Sequence, residues 1–156
     1  MAKLGLSIYP EHSELEKDLE YLSLAGKYGF QRVFTCLISM GDEKKEELIE
    51  KFRVRIDEAH KNGMEVILDV NPTVFHRLGM SSTDLSVFSQ MHADGIRLDE
   101  GFTGMGASRL TFNPWGLKVE MNASTEMGFI EDVVSHYPNR EKLMTCHNFY
   151  PQKYTG

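Results

Sequence analysis

Six short apolar runs alternate with longer amphipathic stretches along this chain, and each run ends in polar residues on the same side. The runs span residues 4–9, 32–38, 65–71, 95–99, 117–122 and 143–148. Short runs rich in Val, Ile and Phe, separated by helical stretches, are typical of parallel strands that are covered by helices. Ligands bind beyond the carboxyl ends of such strands, so the pattern predicts an active site at that end.

The stretches between the runs carry signals for the ends of helices. Ser13 and Glu16 fit a capping box at the start of the first helix, and Gly29 and Gly63 are placed to end the first and second helices. Shorter helices are predicted over residues 73–78 and 84–88, and a fifth over residues 124–134.

This order of elements predicts an α/β fold of the (β/α)8 TIM-barrel type, with about six β/α units present. An open doubly wound sheet is the alternative, but residues 9–12 lack the glycines of a dinucleotide-binding turn. We therefore expect no cofactor. A closed barrel takes about 200 residues or more, so residues 1–156 are expected to be the N-terminal part of a barrel domain.

Composition narrows the range of partners. The chain is 41% hydrophobic and 26% charged, with a net charge of −6. No basic surface is indicated, so we expect neither nucleic acid nor a membrane as partner. No apolar stretch approaches a membrane span, which favours the cytoplasm. Cys36 and Cys146 lie within predicted strands and are expected to be buried thiols, while the glycines of residues 101–106 indicate a turn more than a phosphate loop.

Carboxylates at the ends of the predicted strands are the main candidates for chemistry. Asp99 and Glu120 are the principal pair, with Asp69 third, because all three are expected to point towards the barrel axis. Glycoside hydrolysis needs a proton donor and a second carboxylate, which this set provides. Which carboxylate is the acid stays open, and for Asp69 and Asp99 a helix cap or an arginine pair is an equally good structural explanation.

Other side chains near the same strand ends are suited to bind a sugar. Amide, imidazole and aromatic groups contact hydroxyls and ring faces, and Arg97 either neutralises the carboxylates or holds an anionic group of the substrate. The predicted binding residues are Tyr9, Glu11, Asn71, Arg97, Asn122, His147 and Asn148.

Several segments make the chain similar to the MupG family, whose older label is outer surface protein. The matching segments are LGLSIYPEHS (4–13), RVFTCLIS (32–39), GMEVILDVNPTVF (63–75), ADGIRLDEGF (93–102), LKVEMNAS (117–124) and CHNFYPQKYTG (146–156). The resemblance implies a TIM-like barrel followed by a smaller cyclophilin-like domain, and residues 1–156 are expected to hold the barrel part alone. It also implies a cytoplasmic 6-phospho-N-acetylmuramidase that cleaves 6-phospho-MurNAc-GlcNAc, a phosphorylated amino-sugar disaccharide, in peptidoglycan recycling.

Two other classes of function remain open. One is a metal-dependent barrel isomerase or lyase with Asp69, Asp99, Glu120 and His147 as ligands, although no compact ligand spacing supports a metal site. The other is a non-enzymatic binding or surface protein. For the chain by itself we expect little or no activity, and self-association through its exposed edge strands.

Overall fold

Six parallel strands form one sheet in the computed structural model, in the order in which they occur along the chain. The structure describes residues 3–37, 41–99, 109–122 and 144–145. Each predicted apolar run contains one strand, so the parallel arrangement is confirmed. The strands are β1 Gly5–Ile8, β2 Arg32–Cys36, β3 Glu65–Val70, β4 Gly95–Leu98, β5 Lys118–Asn122 and β6 Met144–Thr145.

Helices connect these strands near the predicted positions. Gly29 and Gly63 follow the first two helices with φ of +83° and +80°, the left-handed conformation that ends a helix at low cost for glycine. The predicted fifth helix and the glycine-rich segment 101–106 lie outside the described residues. The helices are α1 Leu15–Lys27, α2 Lys45–Lys61, α3 Pro72–Arg77 and α4 Ser86–Gln90.

The predicted capping box at α1 is wrong. Glu14 occupies the N-cap position, and no side chain caps the helix there. The Ser13 hydroxyl lies 2.7 Å from an Asp18 carboxylate oxygen and 3.0 Å from the Tyr9 carbonyl oxygen. Asp18 in turn accepts a hydrogen bond from Arg55 at 2.6 Å, in a buried ion pair between α1 and α2. The Ser13 hydroxyl therefore binds a buried carboxylate and does not cap a backbone amide of α1.

The two faces of the sheet differ in chemistry because side chains alternate along each strand. Residues such as Val33, Leu68 and Ile96 pack with the helices in one apolar core. The opposite face, called here the inner face, carries Ser7, Phe34, Asp69, Arg97 and Glu120. Cys36 also lies on the inner face and is only half-buried, in contrast to the buried thiol expected; Cys146 lies outside the described residues.

An ion pair across the inner face shows that the sheet curves. Arg32 of β2 and Glu120 of β5 are 2.8 Å apart between Nη1 and Oε1. Strands that are three positions apart lie about 14 Å apart in a flat sheet, so this pair is made across a concave face. The curved parallel sheet with covering helices is of the TIM-barrel type, with six of its strands present. None of the helices in the described ranges is long and apolar enough to cross a bilayer.

Candidate active site

A pocket of about 190 Å³ lies on the inner face, towards the carboxyl ends of the first four strands. Its position matches the end of the sheet at which the sequence predicts a site. Of the predicted site residues, Tyr9, Asp69 and Arg97 line it. The full lining consists of Ser7, Tyr9, Phe34, Thr35, Cys36, Asp69 and Arg97.

Asp69 and Arg97, which both line this pocket, form a two-pronged ion pair. They are register partners on β3 and β4, so their side chains leave neighbouring backbones in the same direction. Arg97 donates from Nε to Oδ1 and from Nη2 to Oδ2, the second bond at 2.6 Å. Such fork-shaped pairs fix the carboxylate in orientation and suit its ionised form. The side chains are 8% and 18% exposed for Arg97 and Asp69.

Phe34 supports this pair from the neighbouring strand. The guanidinium carbon of Arg97 lies 4.5 Å from the centre of the Phe34 ring, and that of Arg32 lies 5.6 Å from it. Both distances allow an attraction between the cation and the face of the ring. Phe34 therefore separates two arginines that point to different carboxylates.

A second set of charges, called here the amino-edge network, consists of Arg32, Glu65, Lys118 and Glu120. Three of its members are the first residues of β2, β3 and β5. Arg32 Nη2 and Lys118 Nζ approach the two oxygens of Glu65 at 2.7 Å and 2.8 Å, while Arg32 Nη1 holds Glu120. Burial by itself would raise the pKa of Glu65, but the hydrogen bonds from Lys118 and Arg32 outweigh it and lower this pKa to about 2.

Glu120 lies in this network and does not line the pocket. Its residue exposure is 7%, and its Oε2 atom is buried without a hydrogen-bond partner among the described residues. Burial raises the pKa of the Glu120 carboxyl, and the charge of Arg32 only partly opposes this effect. Glu120 thus forms its ion pair with Arg32, although Arg97 is its register partner on β4 and the charge of Arg97 also acts on it.

The remaining predicted residues have varied surroundings. Asn71 caps α3, since its Oδ1 accepts a hydrogen bond from the Val74 amide at 3.1 Å. Asp99 is half-buried directly after β4, and Glu11 is half-buried in the loop after β1. Asn122 ends β5, but its side chain lies outside what the structure describes, as do His147 and Asn148.

Sequence reasoning missed Ser7, Phe34 and Arg32 as neighbours of the site. The signal for Ser7 and Phe34 was available, because strand alternation places them on the same face as Tyr9 and Cys36. The position of Arg32 opposite Glu120 had no comparable signal, because it depends on the curvature of the sheet. Within the described ranges, no group of three His, Cys, Asp or Glu side chains is arranged to hold a metal ion.

The fold and the pocket together define a TIM-barrel-type α/β protein with its candidate site at the carboxyl ends of the strands. Comparison with known proteins narrows the class. The family model described as 6-phospho-N-acetylmuramidase, N-terminal, matches residues 4–156, and the chain belongs to this family. No curated protein sequence matches the chain.

Solved structures are similar over most of the chain. An uncharacterized B. cereus protein is 48% identical, with a TM-score of 0.74, over 99% of this chain and 40% of that one. A conserved Enterococcus faecalis protein of unknown function is 16% identical, with a TM-score of 0.67, over 92% and 39%. A mutant O-GlcNAc hydrolase of Thermobaculum terrenum is 12% identical, with a TM-score of 0.60, over 92% and 40%, and shows likeness of fold alone. The chain spans about two fifths of the length of these proteins.

Proposed function

We propose that this chain is the N-terminal barrel part of a glycoside hydrolase that cleaves 6-phospho-MurNAc-GlcNAc in the cytoplasm, during the recovery of cell-wall sugars. The family match over residues 4–156 is the observation that carries this proposal. A cyclophilin-like domain would follow the barrel in the complete protein.

The chemistry of the pocket supports a sugar as ligand. Ser7 offers a hydroxyl, and the Tyr9 ring is 52% exposed beside the pocket, as a stacking face requires. Asp69 adds carboxylate oxygens that accept hydrogen bonds from sugar hydroxyls. An open polar pocket with an exposed tyrosine ring beside it suits a pyranose ring better than an apolar ligand.

Asp99, Glu120 and Asp69 are the proposed catalytic carboxylates, and their surroundings favour different tasks. The raised pKa of Glu120 suits a proton donor, and for that role the leaving oxygen would have to lie beyond the described pocket, which Glu120 does not line. Asp69, bound by two guanidinium N–H groups, suits a carboxylate that stays ionised and stabilises positive charge on the sugar ring. Asp99 directly follows β4, two residues beyond Arg97, and is half-buried.

The test is hydrolysis of 6-phospho-MurNAc-GlcNAc by the protein at its full natural length. Asp99→Asn, Glu120→Gln and Asp69→Asn should each lower kcat by about 100- to 10,000-fold if the carboxylate transfers a proton or stabilises charge. Glu46→Gln, which changes an exposed carboxylate of α2, is the matched control. Circular dichroism would verify that each variant is folded.

The outcomes separate the function from the residue assignment. A wild-type protein that leaves the disaccharide intact would refute the proposed function. Cleavage that persists in all three variants would refute the proposed carboxylates alone. Loss of activity in EDTA would favour the metal-dependent alternative. Recovery of the protein from the cell envelope in fractionated cells would contradict the cytoplasmic location.

A further inference from the structure

Arg97 is the positively charged residue that lines the described pocket, so it is the first candidate to bind the phosphate group of a phosphorylated substrate. Its guanidinium is nevertheless occupied by the protein on two sides. Asp69 accepts hydrogen bonds from Nε and Nη2, and Phe34 covers the face of the group at 4.5 Å. With 8% of its side chain exposed, Arg97 has little freedom to turn towards a ligand.

The charges around Arg97 also oppose a bound phosphate. Asp69 lies against the guanidinium from β3, and Glu120 is the register partner of Arg97 on β5. Asp69 already balances the charge of this guanidinium, so a phosphate dianion would approach a cation that is paired with a carboxylate. If Arg97 turned to bind the phosphate, Asp69, which is only 18% exposed, would lose both hydrogen bonds from the guanidinium and would lie beside a dianion.

We propose that Arg97 is a positioning residue that fixes Asp69, and that the pocket holds an uncharged part of the sugar while the 6-phosphate binds elsewhere. This inference rests on the proposed function for the identity of the sugar. The role of Arg97 in fixing Asp69 can be tested without substrate turnover.

The first test follows the Arg97 Nε–H resonance by NMR while inorganic phosphate is added to the protein. We expect this resonance to stay unchanged, since its hydrogen points to Asp69. A saturable shift of the Arg97 resonance with phosphate would overturn the inference. In Asp69→Asn, the same resonance should move and exchange faster with water, because a neutral amide holds the guanidinium less firmly.

The second test measures the preference for phosphate, as the ratio of the dissociation constants of MurNAc and MurNAc 6-phosphate. In Arg97→Lys, which keeps the charge but not the fork, we expect both affinities to change by the same factor, so that the ratio stays within about twofold. In Arg97→Met, loss of a charged hydrogen bond to phosphate would lower the ratio by about tenfold or more, and that result would overturn the inference. Arg53→Met, at an arginine of α2 that is 39% exposed, is the control.

Kinetics add a readout that a purely structural role would not move. Arg97→Lys should lower kcat by about tenfold or more, with KM for the phosphorylated disaccharide within about twofold, because Asp69 loses its orientation while the phosphate contacts persist. A rise in KM at constant kcat would contradict a positioning role. If the wild-type protein binds neither sugar, the proposed function fails, and the titration with inorganic phosphate still decides the role of Arg97.

Discussion

Removal of the Glu65 carboxylate should destabilise the protein by an amount that depends on pH. Glu65 is held by Arg32 and Lys118 in the amino-edge network, with Lys3 at 3.4 Å as a weaker third partner. A carboxyl whose pKa is lower in the folded state favours folding once it is ionised. This contribution is fully present above the unfolded pKa of about 4.5 and is lost as the pH falls towards about 2.

The magnitude follows from the pKa and from exposure. A fall from 4.5 to about 2 corresponds to about 3 kcal/mol of unfolding free energy at neutral pH. The Lys118 side chain is 59% exposed, so solvent screens part of this attraction. We therefore expect Glu65→Gln to lower the free energy of unfolding by about 2 kcal/mol at pH 7, which is a large share of the ~5–15 kcal/mol typical of a folded protein.

Urea denaturation of wild type and Glu65→Gln across the pH range would measure this effect. The difference between the two proteins should be constant above a pH of about 4.5 and should shrink as the pH falls towards about 2. Glu46→Gln, at an exposed position in the first turn of α2, should lower the free energy of unfolding by less than about 1 kcal/mol, the size of a helix-dipole effect. The reasoning would be refuted by a Glu65→Gln variant as stable as the Glu46→Gln control at pH 7, or by a difference that does not depend on pH in the acidic range.

Three further changes test other parts of the fold, each by urea denaturation. Arg55→Met should lower the free energy of unfolding by about 3–5 kcal/mol, because it leaves Asp18 buried without its cation. Much of this loss should be recovered in the double variant with Asp18→Leu. A single variant as stable as wild type would show that the ion pair does not stabilise the fold. Asn71→Ala should lower the free energy of unfolding by about 1 kcal/mol, because it removes the N-cap of α3. Asn71→Ser, which keeps a capping oxygen, should keep most of this stability, and an equal loss in both variants would argue against capping. Gly95→Ala should lower the free energy of unfolding by about 1–3 kcal/mol, since its Cβ would lie 2.7 Å from the Lys118 carbonyl oxygen. An unchanged midpoint of urea denaturation would show that β4 and β5 can move apart without cost.

Much of the architecture could be predicted from local patterns. The strands were found because short apolar runs alternate with amphipathic helices, and α1 and α2 end at Gly29 and Gly63 as the sequence indicates. Strand alternation also placed Asp69 and Arg97 on one face, where they meet in the pocket. These features depend on periods of two or 3.6 residues, which are visible within one segment of chain.

The parts that could not be predicted depend on contacts between distant segments. Glu120 binds Arg32 because the sheet curves, and no local pattern reports curvature. Ser13 matched a capping box, but the buried Asp18 carboxylate lies within reach of its hydroxyl. The Lys118 ammonium binds Glu65 across the inner face, which joins β5 to a strand that is not its neighbour. Asn71 was predicted to bind sugar, and the structure shows that its side chain also caps the next helix, α3.

The strand order has a consequence for how the protein is made. Each strand pairs with the one synthesised before it, so no strand has to wait for a distant partner or insert between two others. A nascent chain that leaves the ribosome can therefore add one strand and helix at a time to a growing edge. The Arg32–Glu120 pair is one exception, because Arg32 emerges long before its carboxylate partner and must stay solvated, or held by Glu65 alone, until β5 arrives.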